Sequence, residues 1–408
     1  MNCRFCKNPL THEFVDLVNS PPSNSYLTAN QLNEPEVFYP LRVFVCEKCF
    51  LVQIDEYKKA DEIFDQNYAY FSSFSKTWVE HSRKYVEMMG ERFSFDENSQ
   101  VIEIASNDGY LLQFFQQRNV PVLGIEPTLS TAQAAREKGI ESWTEFFCIE
   151  LAKKLAEKNL QADLLLGNNV LAHIPDINNF VTGLKIALKP SGVITMEFPH
   201  LLQLVENNQF DTIYHEHFSY LSLHTTQRIF AEHNLTIFDV GEIKTHGGSL
   251  RIFAGHAENA SLEITANVEK LLVKEKKHGL LNLDYYSNFQ QKADHVKYDF
   301  LAFLIEQKQL GKKIAAYGAA AKGNTLLNYC GIKNDSIDFV VDASPHKQNL
   351  FLPASHIPVV DESFIKQKKP DFVVVLPWNI KEEIFDQLDY IRDWNGKFVI
   401  AIPNLEIN

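Results

Sequence analysis

The stretch QVIEIASNDGY, residues 100–110, decides the fold of this chain. Its apolar first half predicts a buried strand, its polar second half predicts a tight turn ending at Gly109, and a helical pattern follows. A strand, a short turn with one glycine and a helix form the first unit of a Rossmann-like α/β fold. The next predicted strand, 122–127, carries Glu126 23 residues after Glu103, where such folds place a carboxylate for a ribose diol.

The turn itself indicates which nucleoside cofactor binds. A dinucleotide-binding turn needs several glycines, as in G-x-G-x-x-G, so that the backbone can approach a pyrophosphate. Residues 105–109 have one glycine among polar side chains and resemble motif I of S-adenosylmethionine (SAM) methyltransferases, E-x-x-x-x-x-G. Two further strands are predicted, at 163–170 and at 193–198, and a predicted turn at 189–192 precedes the second. Their order is similar to that of class I methyltransferases. His173, between these strands, is either a site residue or a helix-capping or buried histidine.

The stretch YHEHFSY, residues 214–220, follows the last of these strands. It places Glu216 between two imidazoles, with a phenol at each end. Because ligands bind at the carboxyl edge of such sheets, this position predicts a site with a general acid and a general base. The spacing differs from the H-E-x-x-H of zinc proteases, and the alternative is a surface loop in which His and Tyr cluster. Downstream, the THGG sequence at 245–248 is explained equally well by turn geometry and by ligand contact.

Two C-x-x-C pairs near the N-terminus predict a zinc site. The pairs are Cys3 with Cys6 and Cys46 with Cys49, and four thiolates form a closed tetrahedral site with no open position for catalysis. We therefore interpret the zinc as structural, with a redox C-x-x-C as the alternative. A nucleic-acid-binding ribbon is disfavoured because acidic residues follow the second pair directly.

A second α/β unit is predicted in the C-terminal region, after helices within 260–310. Its predicted strands are 313–317, 337–342 and 372–376, and the first runs into the small-residue turn GAAAKGN at 318–324. A helix is predicted from Thr325. Small residues at a helix N-terminus leave backbone N–H groups free for an anion, and the turn adds one lysine. The alternative is tight helix–strand packing without a ligand.

The composition limits the possible functions. Hydrophobic residues make up 45% of the chain, which is ordinary for a globular protein, and the net charge is −13. This charge excludes a general nucleic-acid binder, because binding phosphates requires a basic surface. We expect no signal peptide and no membrane span, since the N-terminus has no apolar run and no apolar stretch approaches about 18 residues. Six cysteines, four of them in the two pairs, indicate a reducing compartment, so we expect a cytoplasmic protein, and we expect it to be a monomer.

With these motifs in view, the whole chain resembles the SAM-dependent sugar C-3′-methyltransferases that make branched deoxysugars on nucleotide carriers. The resemblance includes the two C-x-x-C pairs, Y-A-Y-F-S-S from Tyr68, N-N-V-L-A-H-I-P-D and H-G-G-S-L-R. Its two most specific motifs are Y-H-E-H-F-S-Y-L-S and Y-G-A-A-A-K-G-N. It implies an N-terminal zinc-binding domain at 1–65, a central Rossmann-like class I methyltransferase domain at 66–255 and a C-terminal second Rossmann-like α/β domain at 256–408.

The resemblance also implies the residues of the site. The family's lid tyrosine corresponds to Tyr68, and its proposed base corresponds to His217. The other catalytic residues that correspond are Tyr214, Glu216 and His173. The residues predicted to hold SAM are Glu103, Ser106, Asn107, Asp108, Gly109, Glu126, Phe146, Phe147, Asn168 and Asn169. The residues predicted to hold a nucleotide diphosphate are Gly318, Ala319, Ala320, Lys322, Gly323 and Asn324.

The implied activity is methylation of C-3 of a nucleotide-linked 4-keto-6-deoxyhexose, carried by dTDP or GDP. A ketone at C-4 makes the neighbouring C-3 proton removable, and His217 would take it as the base. Two alternatives remain open from the sequence. One is an O- or N-methyltransferase on a nucleotide sugar, and the other is a non-catalytic protein that binds SAM or a nucleotide sugar.

Overall fold

The computed structural model of the chain describes residues 1–59 and 71–408, so the predicted lid residue Tyr68 lies outside the described residues. The strands are β1 (His12–Ser20), β2 (Tyr39–Val45), β3 (Val52–Ile54), β4 (Val101–Ile104), β5 (Val122–Ile125), β6 (Ser142–Trp143), β7 (Ala162–Asn168), β8 (Leu188–Pro199), β9 (Ser219–Tyr220), β10 (Leu235–Ile243), β11 (Ser249–His256), β12 (Ile314–Tyr317), β13 (Val340–Val341), β14 (Val359–Val360), β15 (Phe372–Val375), β16 (Lys397–Ile400) and β17 (Glu406–Ile407). They form sheets of four, seven and six strands.

Helices connect and cover these strands. The α-helices are α1 (Lys76–Phe93), α2 (Leu112–Gln116), α3 (Leu129–Glu137), α4 (Ile149–Glu157), α5 (Ile177–Ala187), α6 (Leu201–Glu206), α7 (Leu223–Glu232), α8 (Ala266–His278), α9 (Phe289–Gln309), α10 (Ala321–Cys330), α11 (Ser363–Lys368) and α12 (Lys381–Gln387). Among the described residues, none of these helices is both long and apolar enough to cross a bilayer.

The central sheet has the order β10-β11-β8-β7-β4-β5-β6. Strands β8, β7, β4, β5 and β6 are parallel, and β11 and β10 add an antiparallel edge. The predicted strands of this region are therefore confirmed, but the turn predicted at 189–192 is wrong because these residues belong to β8. A Cβ on Gly192 would lie 2.7 Å from the carbonyl oxygen of Ala162. This glycine permits close strand packing instead of a turn.

The C-terminal sheet has the order β14-β13-β12-β15-β16-β17 and is parallel except for β17. Its helix α10 begins at Ala321 and not at the predicted Thr325. Gly318 has φ +90°, and a Cβ there would lie 2.5 Å from the Pro377 ring, so the chain turns sharply and the helix can start early. The strand predicted at 337–342 is also shorter than expected, because β13 covers two residues.

The N-terminal sheet, β1-β2-β3-β9, is antiparallel. Its last strand, β9, belongs to the stretch 214–220, which we call the central motif. Strand β1 of this sheet packs on α9, where Phe14 stacks on Phe289 with ring centroids 4.4 Å apart. A single hydrophobic cluster contains residues of this sheet, of α6 and of the C-terminal sheet. The N-terminal region is therefore packed between the central and C-terminal regions, and the central motif is part of its sheet.

Candidate active site

A cavity of about 540 Å³ lies where the three regions meet. Its walls are the carboxyl ends of β4, β5 and β7, the central motif and the N-terminus of α10. The predicted site residues that line it are Asn107, Glu126, Phe146, Phe147, Asn168, Asn169, His173, Tyr214, Glu216, His217, Ala320 and Lys322. The structure thus brings together residues from the predicted SAM, catalytic and diphosphate sets.

The other predicted residues lie behind the cavity wall. These are Glu103, Ser106, Asp108 and Gly109 at the first turn, and Gly318, Ala319, Gly323 and Asn324 at the second. Glu103 is fully buried, and burial raises the pKa of its carboxyl well above the usual range. Asp108 accepts hydrogen bonds from Ser73 and from Lys138, the latter at 3.2 Å. The Asp108 carboxylate therefore ties the turn to Ser73 and Lys138.

The first turn owes its shape to backbone with positive φ. Ala105, Asn107 and Gly109 have φ of 56°, 50° and 74°. A Cβ on Gly109 would lie 2.5 Å from the tip of the Ile140 side chain, which can move, so the positive φ is what favours glycine here. The backbone N–H groups of Asn107 and Thr128 donate to the Glu126 carboxylate at 2.9 and 2.8 Å. Glu126 is thereby fixed at the carboxyl end of β5.

This half of the cavity fits an adenosine-containing cofactor such as SAM. The side-chain oxygen and nitrogen of Asn168 are buried and, among the described residues, have no hydrogen-bond partner. A ligand in the cavity can supply those partners. Glu126 offers carboxylate lone pairs to a ribose diol, and Phe146 and Phe147 provide an apolar wall for a base. Phe146 is 43% exposed, which leaves its ring free to pack on a ligand.

The catalytic candidates form a linked pair. The Tyr214 hydroxyl lies 2.8 Å from Nε2 of His217, and Nδ1 of His217 lies 2.9 Å from the carbonyl oxygen of Thr212. Because a carbonyl can only accept, Nδ1 carries the hydrogen, and Nε2 of the neutral ring accepts from Tyr214. Burial, with His173 nearby, holds the pKa of His217 well below its usual value. The ring is therefore neutral at physiological pH, with its basic nitrogen turned to Tyr214.

A second imidazole faces this pair. The His173 ring packs edge-on against the His217 ring with centroids 4.6 Å apart. Burial lowers the pKa of His173 to about 4, so it is neutral as well. Two neutral imidazoles can exchange hydrogen bonds with a ligand without repelling each other.

Glu216 and His215 point to different sides of the same backbone. The Glu216 carboxylate accepts a hydrogen bond from Nδ2 of Asn24 at 2.7 Å, and burial raises its pKa to about 7. His215 instead lies 3.2 Å from the carbonyl oxygen of Pro40, with its ring 5.8 Å from that of Tyr39. The structure places Glu216 in the cavity and His215 in the packing of the N-terminal sheet.

The second turn presents the N-terminus of α10 to the cavity. Ala320 and Lys322 line it. The Lys322 ammonium donates to Oδ1 of Asn379 at 2.7 Å and lies 4.5 Å from the centre of the Trp378 ring. Burial lowers the pKa of Lys322, and Asp211 opposes this shift. A half-buried lysine at a helix N-terminus can hold an anion.

Three of the predicted diphosphate residues have other roles. Asn324 donates to the carbonyl oxygen of Ser23 at 2.6 Å, and the backbone N–H of Ala319 donates to Asp342 at 2.8 Å. A Cβ on Gly323 would lie 2.8 Å from the Leu376 side chain. These contacts hold the turn in place.

Sequence reasoning missed several lining residues. Asn24 comes from the N-terminal region, and no local pattern marks it. Lys347 donates to the Ala319 carbonyl at 2.8 Å and lies 3.6 Å from the Asp342 carboxylate, so the anion end also holds this ion pair. His246 was not missed in the same way: it lies in the 245–248 stretch that the sequence left open between turn geometry and ligand contact, and it lines the cavity with φ 55°. Burial, together with Lys322, lowers the pKa of His246 to about 4.

The four predicted metal ligands form a cluster. Their sulfur atoms all lie within 4.8 Å of one another, with Cys3–Cys49 and Cys6–Cys46 each 3.5 Å apart. A tetrahedral zinc site with Zn–S bonds of about 2.3 Å needs sulfurs about 3.8 Å apart, so the cluster fits zinc. The Gln53 amide donates to the Cys3 sulfur at 3.3 Å and orients this ligand.

Comparison with known proteins gives three matching family models. They are described as a zinc binding domain over residues 3–64, a methyltransferase domain over 78–240 and a C-methyltransferase C-terminal domain over 244–403. The C-methyltransferase NovU of Streptomyces niveus is 32% identical over 401 residues, which span 98% of this chain and 95% of that protein. These matches confirm the predicted fold class, SAM as the methyl donor and the zinc-binding N-terminal region.

Solved structures are more remote. The PH0226 protein from Pyrococcus horikoshii OT3 aligns with a TM-score of 0.38 and 14% identity, covering 46% of this chain and 95% of that one. Magnesium protoporphyrin IX methyltransferase from Synechocystis PCC 6803 with bound SAM aligns with a TM-score of 0.32 and 14% identity, covering 44% and 80%. At these scores the similarity supports no argument about function.

Proposed function

Because this chain belongs to the family of SAM-dependent C-methyltransferases, we propose that it methylates C-3 of a nucleotide-linked 4-keto-6-deoxyhexose. The observation that carries the proposal is the common cavity of Tyr214, His217 and the N-terminus of α10. An acid–base pair at one wall and an anion site at another suit a keto sugar joined to a diphosphate. SAM, when bound, supplies an electrophilic methyl group at the wall of Glu126 and Asn168.

His217 is the proposed base. Carbon methylation requires a carbanion, and the C-4 ketone lets the C-3 proton leave as the electron pair moves into an enolate. The proton goes to Nε2 of His217, because Nδ1 is committed to the Thr212 carbonyl. The Tyr214 hydroxyl, released from Nε2, then donates to the enolate oxygen, an interaction worth about 3 kcal/mol in comparable sites.

Glu216 and the anion end position the substrate. One oxygen of the Glu216 carboxylate accepts from Asn24, and the other is proposed to accept from a sugar hydroxyl. The diphosphate binds the first-turn N–H groups of α10 together with Lys322 and Lys347. These lysines supply the local positive charge that a chain with a net charge of −13 needs to hold an anion.

The test uses the full chain with SAM and the 4-keto-6-deoxyhexose linked to dTDP or to GDP. We expect product NMR to show a new C-methyl group and a C-3 without a proton. A product that keeps its C-3 proton and gains an O- or N-methyl group would contradict the proposal.

The role of His217 is tested with His217→Asn. We expect S-adenosylhomocysteine to bind as in the wild type, because the substitution lies outside the SAM half of the cavity. In D₂O, solvent exchange of the C-3 proton should fall by about 10²–10⁴-fold, the usual contribution of a general base. Exchange at the wild-type rate would remove His217 from the base role.

A further inference from the structure

One arginine next to a zinc ligand contacts both of the loops that carry the catalytic imidazoles. Arg4 follows Cys3 directly and is 9% exposed. Its guanidinium donates to the carbonyl oxygen of Pro175 at 2.8 Å and to that of Ile54 at 2.6 Å. The Pro175 carbonyl belongs to the loop two residues after His173.

The second carbonyl ties Arg4 to the loop of His217. Ile54 ends β3, which pairs with β9 at the end of the 214–220 motif, and its N–H donates to the carbonyl of Phe218 at 3.2 Å. The guanidinium also lies 5.2 Å from the centre of the Phe218 ring. A single planar group therefore touches the neighbour of His217 and the loop of His173.

The zinc cluster fixes Arg4 on its other side. The backbone N–H of Arg4 donates to Oε1 of Gln53 at 2.8 Å, and the side-chain Nε2 of the same Gln53 donates to the Cys3 sulfur at 3.3 Å. Four thiolates around one Zn²⁺ leave a net negative charge, which favours a buried cation beside them. The backbone of the metal knuckle thus determines where the guanidinium lies.

We propose that Arg4 is a positioning residue that holds His173 and His217 in register, so that the zinc cluster orients the catalytic pair. The two rings face each other with centroids 4.6 Å apart, and the His173 ring also hydrogen-bonds to the backbone of Glu216. To that contact the arginine fork adds two hydrogen bonds in fixed geometry, to Pro175 and to Ile54, which a point charge cannot reproduce. This inference rests on the proposed function of His217.

The test compares Arg4→Gln with a matched control, Arg42→Gln, which removes an exposed arginine from β2 of the same sheet. We expect Arg4→Gln to keep its zinc, to bind S-adenosylhomocysteine within about 3-fold of the wild type, and to lose about 10- to 100-fold in kcat with little change in KM. In NMR of ¹⁵N-histidine-labelled protein, the His173 and His217 imidazole signals should shift in Arg4→Gln and not in Arg42→Gln. This readout needs no substrate, so it separates failure of this inference from failure of the proposed function.

The opposite results overturn the inference. One such result is full kcat with unshifted imidazole signals. Another is loss of zinc, or loss of S-adenosylhomocysteine binding in step with kcat, and either of these would assign Arg4 to folding alone. Should Arg4→Gln not purify as a folded protein, the same comparison is made with Arg4→Lys, which keeps the positive charge and removes the fork.

Discussion

The hydrogen bond between Asn24 and Glu216 offers a direct measurement of how the N-terminal region affects the site. The perturbation is Asn24→Leu, which removes the donor and keeps an apolar side chain of similar volume in its place. Glu216 is 3% exposed, so water cannot readily replace the lost amide. Burial raises the pKa of Glu216 to about 7, and the Asn24 hydrogen bond and the charge of Lys58 oppose that shift.

The magnitude follows from the 2.7 Å distance between Nδ2 of Asn24 and Oε1 of Glu216. A hydrogen bond to a charged group contributes about 1.5–3 kcal/mol, and one pKa unit corresponds to about 1.36 kcal/mol. Loss of the donor disfavours the ionised form, so the pKa of Glu216 should rise by about 1–2 units. Since ionised Glu216 is the form proposed to accept from the sugar, activity near neutral pH should fall.

The assay is kcat/KM for the 4-keto sugar as a function of pH, which reports ionisations of the free enzyme. We expect the acid limb, near pH 7 in the wild type, to move upward by about 1–2 pH units in Asn24→Leu, with the rate restored at high pH. The control is Asn30→Leu, the same change at an exposed position of the same region. An acid limb at the wild-type pH would falsify the assignment of this ionisation to Glu216.

Two further perturbations test the anion end and the metal. Lys322→Gln removes a half-buried charge at α10 and should raise KM for the nucleotide sugar by about 10-fold or more, with S-adenosylhomocysteine affinity unchanged. Lys333→Gln, at an exposed position, is the control, and equal KM values for both variants would contradict the anion site. Cys46→Ser should lower zinc content and Tm together, because the closed cluster links the end of β2 to Cys3 and Cys6. A zinc-free variant with the wild-type Tm would show that the metal does not stabilise the fold.

The sequence predicted those parts of the fold whose signals are local. Strand β4, its turn and Glu126 follow from apolar runs and one glycine, and the zinc cluster follows from two short spacings. The turn predicted at 189–192 was wrong because glycine is needed at 192 for a tertiary contact. The backbone of Ala162 lies too close for a Cβ, and the local sequence does not show this.

The faces of the buried strands could not be predicted. All four residues of β4 are buried, so no alternation between polar and apolar positions shows which of them line the cavity: Ile104 does and Glu103 does not. Asn24 was missed for a different reason, because it reaches Glu216 across 192 residues of sequence. Its place in the site depends on how the N-terminal region packs against the rest of the chain.

That packing also explains why so many titratable side chains occur together at 214–220. The motif ends in β9, which is an edge strand of the sheet that the cysteine knuckles hold. Its residues therefore serve two surfaces: His215 packs against the N-terminal sheet, whereas Glu216 and His217 face the cavity. A loop without that strand pairing would have to order its own backbone at a cost of about 1–2 kcal/mol per residue. Because β3 orders the end of the motif, the geometry of the proposed base depends on a region whose metal has no open position for catalysis.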